Sequence, residues 1–393
     1  MSYPCKICDS VHGFIRFGEL EKQVIDSWPF QRLRYIHQMA IAYLVYPGAT
    51  HTRFEHSLGV MELVTRVYQT LIASHNQIVP IPIAQEELDY WRLILRLAAL
   101  CHDMGHLPFS HTAEKSLLPE GGHEKMTLEI IFSPQLQPLW QKIGPQAADD
   151  IAKLSVGETK SVLSPWENVL SKIITDDSFG ADRMDYLIRD GQYTGVGYGH
   201  FDYHQLIDCL RILPEKEGLG LGITASGIQS MESLWISRYM MYARVYHHPK
   251  ARVYSKHMQR FMCKLFPDGI AKTLDEYLNQ TDFTLLTAIA QAAKEGDYDA
   301  RCLMKQEPPF QEVSLKEEDF KRLSAIEKEF GEAIFIDRSA QKEITPIFQV
   351  YTEEKELISC FEASPFLRDI PRGSKPTTLF VHPEKEKQLH EWL

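Results

Sequence analysis

Nowhere in the 393 residues is there an apolar run approaching the roughly 18 residues that a bilayer crossing needs. The first residues carry cysteines, Asp9 and His12 where a secretory leader would need an apolar stretch, so the expected compartment is the cytoplasm, without a membrane partner. Positive charge is also short: 42 basic against 53 acidic residues give a net charge of −11. Sequence-independent binding to a duplex relies on a basic surface, so a nucleic-acid partner is not expected, and a small anion held in a local basic pocket fits better. Cysteine is sparse and odd in number, seven in all, which excludes a disulfide framework and favours reduced thiols. Cys5-x-x-Cys8 has zinc-like spacing, but no second Cys pair completes a four-cysteine site, and the two are read as incidental thiols. Fixed-period repeats, low-complexity tracts and long like-charge blocks are absent as well.

What is present is the composition of an ordinary folded protein, 44% apolar and 24% charged. The expected fold is mainly α, a helical core over residues 1–265 followed by a smaller α+β region over 266–393 that could serve oligomerisation or regulation. From Thr52 to Ser74, Phe54, Leu58, Met61, Val64, Val67 and Leu71 largely recur at helical spacing, and Thr52-x-x-Glu55 has the form of a capping box. Tyr90 to Cys101 places Leu93, Leu97 and Leu100 on one face and then meets Gly105, so His102 and Asp103 fall at a helix C-terminus. In the run from Ala181, the residues Asp182, Asp185, Tyr186 and Arg189 fall at offsets of three, four and seven, a polar helical face that Gly191 would end. Further helices are expected over Trp166–Ile174, Ser230–Tyr246 and Leu274–Ala293. Leu219–Gly227 reads as a small hairpin or loop, and Ala333–Ile336, Thr345–Tyr351 and Thr377–Val381 read as strands.

The residues able to do chemistry are concentrated in the helical part. His56, His102, His106, His111 and His123 surround the acids Asp103, Glu114 and Glu124 in sequence. In His102-Asp103-x-x-His106 the two histidines are four apart, as on one helical side, with a carboxylate beside them. Imidazole and carboxylate together suit Mn, Fe, Co, Ni or Zn. Arg32, Arg34, Arg53, Arg183, Arg189, Arg238 and Arg244 supply guanidinium forks of the kind that hold phosphoryl oxygens.

These residues carry a resemblance. His56, His102-Asp103 and Asp182 match, in order and context, the H…HD…D signature of the HD-domain metal-dependent phosphohydrolases. More closely, the chain resembles the branch with the bacterial deoxynucleoside triphosphate (dNTP) triphosphohydrolases, including the dGTPase-like ones, and the vertebrate dNTPase that joins a sterile-alpha-motif domain to an HD domain. The segments that carry the likeness are Asp9-Ser-Val-His-Gly13, Phe30-Gln-Arg-Leu-Arg-Tyr35, Tyr46-Pro-Gly-Ala-Thr-His51, Arg53-Phe-Glu-His-Ser-Leu-Gly59, Cys101-His-Asp-Met-Gly-His-Leu-Pro-Phe-Ser-His111, Ala181-Asp-Arg-Met-Asp-Tyr-Leu-Ile-Arg-Asp190 and Val245-Tyr-His-His-Pro249.

The resemblance implies that His56, His102, Asp103 and Asp182 ligate one divalent transition metal, with Mg as a further candidate at the substrate phosphates. Such a metal would polarise the α-phosphate of a dNTP, dGTP among them, and lower the pKa of a bound water. Attack at the α-phosphorus would release a deoxynucleoside and inorganic triphosphate. His106, Glu114 and His123 match the family's acid–base group, and His111 sits where relatives place a histidine close to the scissile bond. Glu114 stands where the vertebrate relative has Asp. Arg53, Arg183, Tyr186 and Arg238 match phosphate-contacting positions, Arg183 replacing a Lys. Gln38 and Asp190 match groups that bind the sugar 3′-hydroxyl, and Tyr246 matches the tyrosine that packs against the deoxyribose.

Asp26, Gln31 and Arg34 align with a nucleotide-reading regulatory site, which leaves room for an allosteric nucleotide activator. The lysine expected just before Asp9 is replaced around Cys5–Cys8, with Lys6 in a shifted register. Relatives assemble as dimers or tetramers, so a homo-oligomer is expected. Two other readings stay open at this point: an HD phosphohydrolase acting on another nucleotide or phosphoester, such as a nucleotidase or single-strand nuclease, and a nucleotide-binding protein without turnover.

Overall fold

The long helix Arg53–Ile78 runs through the centre of the molecule in a computed structural model that describes residues 3–81, 83–157, 163–215, 218–316, 319–338, 347–370 and 377–393. It starts where the capping pattern places it: the Thr52 amide donates to Glu55 Oε1 at 2.8 Å. Leu58, Met61, Val64, Val67 and Leu71 form its buried stripe, each contributing roughly 1.5–3 kcal/mol relative to exposure. The helix Gln85–Cys101 packs along it. Within that helix Arg96 is buried, pairs with Glu21 and Thr65, and donates to the Arg16 carbonyl at 2.8 Å, so its charge is satisfied on every side. His102 caps this helix, its amide donating to the Ala98 carbonyl at 2.9 Å.

The third helix of this group, Ala181–Thr194, packs against Arg53–Ile78 and carries the acids Asp182, Asp185 and Asp190. Gly191 does not end it, contrary to the sequence expectation. The helix stops at Gly195, which has φ +75°, the left-handed conformation that suits glycine at a C-terminus. Gly191 serves a close approach instead: a Cβ there would sit 2.8 Å from Cα of Gly199.

The fold is mainly helical with small sheets. Cys5–Asp9 and Gly13–Phe17 form an N-terminal hairpin that alternation alone did not reveal, because the two strands are short and half-exposed. Leu210–Glu215 pairs antiparallel with Gly218–Thr224, and Gln349–Tyr351 adds in parallel to Gly218–Thr224 before pairing with Leu357–Ser359. The third sheet sets Thr378–Val381 between Gln311–Val313 and Ile334–Asp337. Of the expected strand Thr345–Tyr351, residues 345–346 lie outside the described residues. The helical run expected over Leu274–Ala293 is two helices, Leu274–Leu278 and Asp282–Lys294, because Thr281 caps a new start.

Two cores position the site. Phe348, Val350, Cys360 and Leu367 from the C-terminal third join the main core with the long helix. A second core gathers Met258, Phe261, Tyr277, Leu285 and Ile289 around Leu107, Phe109, Ala113 and Leu117 from the histidine-rich loop. No helix among the described residues is long and apolar enough to cross a membrane.

Candidate metal centre and active site

His56 lies in the first turn of the long helix, His102 and Asp103 at the end of Gln85–Cys101, and Asp182 in the first turn of Ala181–Thr194. Helix packing brings the four side chains to one point. His56 Nε2 is 3.0 Å from Asp182 Oδ1 and 3.7 Å from Asp103 Oδ2. His102 Nε2 is 3.5 Å from Asp103 Oδ1 and 3.8 Å from Asp182 Oδ1. Ligand atoms of His56, His102 and Asp103 all lie within 4.8 Å of one another.

The proton positions suit a cation between them. His102 Nδ1 donates to the Ala99 carbonyl at 2.8 Å, which turns Nε2, buried and without a hydrogen-bond partner among the described residues, toward Asp103 and Asp182. His56 Nδ1 meets Asp185 Oδ2 at 2.8 Å, the carboxylate backing that orients a ligating imidazole. Burial opposes a charge on His56, but hydrogen bonds to Asp182 and Asp185 outweigh it and push the ring up to about 10. The pocket is therefore strongly negative and favours a positive charge, whether a proton or a metal ion. The donor set, the orphaned His102 nitrogen and the backing by Asp185 fit a divalent transition metal.

Asp185 is itself held. It accepts from Arg189 and lies 2.6 Å from His12 Nε2, and Arg189 continues to Asp9 at 2.9 Å. The polar helical face read from the sequence thus divides: Asp182 is aimed into the site, while Asp185 and Arg189 are buried behind it. Gly59 makes this approach possible, because a Cβ there would collide with the Asp185 carboxylate and the Arg189 guanidinium.

A second group sits next to the first. Glu114 bridges two imidazoles, His111 Nδ1 at 2.7 Å and His123 Nδ1 at 2.6 Å, and also accepts from the His123 amide at 3.0 Å. Burial alone would raise Glu114, but the His111 and His123 hydrogen bonds hold it well below the usual carboxylate range. His106 stacks on His123 with ring centroids 3.9 Å apart, and its Nε2 is 3.2 Å from Asp103 Oδ1. Burial, with Arg53 and His123 beside it, pushes His106 well below its ordinary value and keeps it neutral. His102 and His106 are not on one helical side as their spacing suggested, since the helix has ended at Cys101 and His106 follows a turn. Gly122 has φ +54°, and a Cβ there would run into the Glu114 carboxylate.

Both groups open into one cleft of about 1430 Å³, lined also by Gln38, Arg53, Arg183, Tyr186, Asp190, Arg238 and Tyr246. Arg53 is committed to Asp103 and to Ser110 Oγ at 3.0 Å. Arg183 donates to the Asp176 carbonyl at 2.6 Å and to Asp177 at 2.8 Å, yet its buried Nε has no partner among the described residues. Arg238 donates to the Asp177 carbonyl at 2.9 Å and has a buried Nη2 in the same condition. Burial, then the neighbouring Arg183 guanidinium, pushes Arg238 down. Tyr246 donates to Asp190 Oδ2 at 2.7 Å, and Asp190 Oδ1 meets His51 Nε2 at 2.7 Å. Gln38 presents a buried Oε1 without a partner among the described residues.

The expected site residues line this cleft except His56 and Glu114, which lie behind its wall against Asp182 and His123. The structure adds supports the sequence did not single out: His51 behind Asp190, and Thr127, whose Oγ1 accepts from the Gly105 amide at 3.0 Å and donates to the His102 carbonyl at 3.1 Å. His51 lies within a quoted segment but has no local pattern that announces its partner. Asp26, Gln31 and Arg34 sit elsewhere: Arg34 donates to Gln31 at 2.8 Å, and Asp26 pairs with Lys22 at 2.8 Å.

Comparison with known proteins agrees with this geometry. Residues 53–154 match the HD domain, and 201–340 the HD associated region. An uncharacterized protein of Methanocaldococcus jannaschii is 33% identical over 347 residues, 84% of this chain and 68% of that one. The chain belongs to the HD-domain family. A solved structure of a hypothetical protein from Aquifex aeolicus superposes with a TM-score of 0.80 at 30% identity, covering 98% of this HD-domain chain and 99% of that one. The human deoxynucleoside triphosphate triphosphohydrolase SAMHD1 is 30% identical over 267 residues, 62% of this chain and 41% of that protein. This HD-domain chain thus spans about two fifths of the human relative's length and 52% of YwfO from Bacillus subtilis, an uncharacterized protein 36% identical over 246 residues.

Proposed function

We propose that this protein is a metal-dependent dNTP triphosphohydrolase, with dGTP among its substrates. The observation that carries this reading is the pair of buried guanidinium nitrogens, Arg183 Nε and Arg238 Nη2, left without partners among the described residues in the cleft that also holds His102, Asp103 and Asp182. Two unsatisfied buried donors on cationic groups favour a polyanion of closely spaced phosphoryl oxygens. Similarity to the human triphosphohydrolase supports the same substrate class.

His56, His102, Asp103 and Asp182 would hold a divalent ion, which would supply a Lewis acid that makes hydroxide available near neutral pH. Arg183 and Arg238 hold the phosphate chain, with Tyr186 beside them and Arg53 fixing Asp103. Asp190 and Gln38 receive the 3′-hydroxyl, and Tyr246 packs against the sugar. Water adds to the α-phosphorus as the bond to the 5′-oxygen breaks, giving inorganic triphosphate. The 5′-oxygen takes its proton from the imidazole edge that His111 or His123 turns away from Glu114, whose carboxylate fixes both rings through Nδ1. His106, kept neutral, buttresses His123. An activating nucleotide, and assembly into a dimer or tetramer in the cytoplasm, complete the proposal.

The test is product analysis of the Mn-supplemented protein with each dNTP, alone and mixed, beside a His102→Ala/Asp103→Ala control. Triphosphate plus deoxynucleoside, lost together with the metal in the control, is the expected result. Pyrophosphate or orthophosphate as the first product, or no turnover by metal-loaded protein, would overturn it.

A further inference from the structure

The loop from Met104 to His111 carries two of the acid–base histidines, and groups distant in sequence hold its backbone. The Gly105 carbonyl accepts from the Tyr277 hydroxyl at 2.5 Å, and the His106 carbonyl accepts from Arg32 Nη1 at 2.8 Å. The Phe109 amide donates to Asp282 Oδ1 at 2.7 Å. Arg32 is tied in turn to the same region, donating from Nε to the Gln280 carbonyl at 2.9 Å with its guanidinium 4.9 Å from the Tyr277 ring centre.

Asp282 is fully buried and uses both oxygens. Oδ2 accepts from the His37 amide at 2.8 Å and meets His37 Nδ1 at 2.6 Å. It therefore couples the acid–base loop to the segment that carries Gln38. Ser110 closes the same circuit, donating to the His37 carbonyl at 2.9 Å and accepting from Arg53 Nε at 3.0 Å. The segment so held is strained: Phe109 and Ser110 have φ +56° and +54°, values that side chains with a Cβ keep only where the surroundings impose them. His111 follows directly.

We propose that Asp282 is a positioning residue for this acid–base loop, with Tyr277 as its second anchor, so that the HD associated region sets the loop's geometry. The inference rests on the acid–base reading of His106, His111, Glu114 and His123. Tyr277, Gln280 and Asp282 all fall within residues 201–340, the stretch that matches the associated region. Asp282 sits in the first turn of Asp282–Lys294, where the helix N-terminus also favours its carboxylate. His56 and His102 have supports of their own in Asp185, Ala99 and Thr127, while Asp103 pairs with Arg53, which also meets Ser110, so the clamp acts first on the acid–base loop.

Two variants of the full chain test this. Asp282→Asn keeps the shape but turns an NH2 toward either Phe109 or His37, each of which needs an acceptor. Tyr277→Phe keeps the ring and removes the hydroxyl that donates to Gly105 and faces the Arg32 guanidinium. In Asp282→Asn kcat should fall about 10- to 100-fold, as expected for a misplaced catalytic group. Tyr277→Phe should lose about 3- to 10-fold, with KM within about twofold in both. Mn content should stay at the wild-type level, and amide exchange should accelerate over 104–112 while that of 53–78 is unchanged. Wild-type kcat in both variants, with only a lower Tm, would reduce the clamp to a structural staple and overturn the proposal. Unaltered exchange over 104–112 would overturn it as well. If the wild type hydrolyses no dNTP, the substrate reading fails by itself. The exchange data and turnover of bis(p-nitrophenyl) phosphate by the same Mn-loaded proteins then decide the positioning role.

Discussion

Asp185 Oδ2 stands 2.8 Å behind Nδ1 of His56, on the side away from Asp103 and Asp182. The carboxylate fixes the tautomer, so that Nε2 is the atom offered to Asp103, Asp182 and an ion. Asp185→Asn should weaken metal affinity about 10- to 100-fold, the range measured for such outer partners. Isothermal titration with Mn, alongside circular dichroism to confirm folding, checks this. Unchanged affinity would mean that His56 is oriented by helix packing alone.

Glu114 is the shared acceptor of His111 and His123, and its depressed pKa keeps it ionised throughout the neutral range. Glu114→Gln leaves one of the two rings facing an amide donor. Turnover should drop about 100-fold with metal content at the wild-type level. Loss of the metal in this variant would make the cluster a ligand set rather than an acid–base group.

Tyr246 and Asp190 form one wall of the cleft through a 2.7 Å hydrogen bond. Tyr246→Ala should relax the rejection of ribonucleotides about tenfold or more, and Tyr246→Phe should retain most of it, since bulk does the excluding. The ratio of kcat/KM for dGTP and GTP in each variant reads this out. Equal ratios in all three proteins would remove Tyr246 as a sugar gate.

Gly59 is small because two helices meet there. Gly59→Ala would place a methyl against Asp185 and Arg189, at a cost of about 1–3 kcal/mol for overpacking. Urea denaturation of the metal-free protein measures that cost directly. A variant as stable as wild type would show that the helices can separate without penalty.

Several elements are legible in the amino-acid sequence alone. The stripe Leu58, Met61, Val64, Val67 and Leu71 is buried as its period requires, and Gly105 follows the helix end that carries His102. The N-terminal hairpin is not legible, because strands of five residues with half-exposed faces give little alternation. Gly191 misleads, since the same residue type marks both a helix end and a close backbone approach. Asp282 and Tyr277 give no local signal, being single polar residues in an otherwise amphipathic stretch whose partners lie far away along the chain.

The sequence by itself determined the two long helices Arg53–Ile78 and Gln85–Cys101 and the types of donor they carry, because side-chain direction within an element follows from a fixed period. Only the tertiary structure decided that Asp182 meets His56 and His102 while Asp185 backs His56, and that Glu114 joins His111 to His123. Those outcomes depend on which helix faces meet, on glycines small enough to let them meet, and on buried charges that each require a partner from another segment.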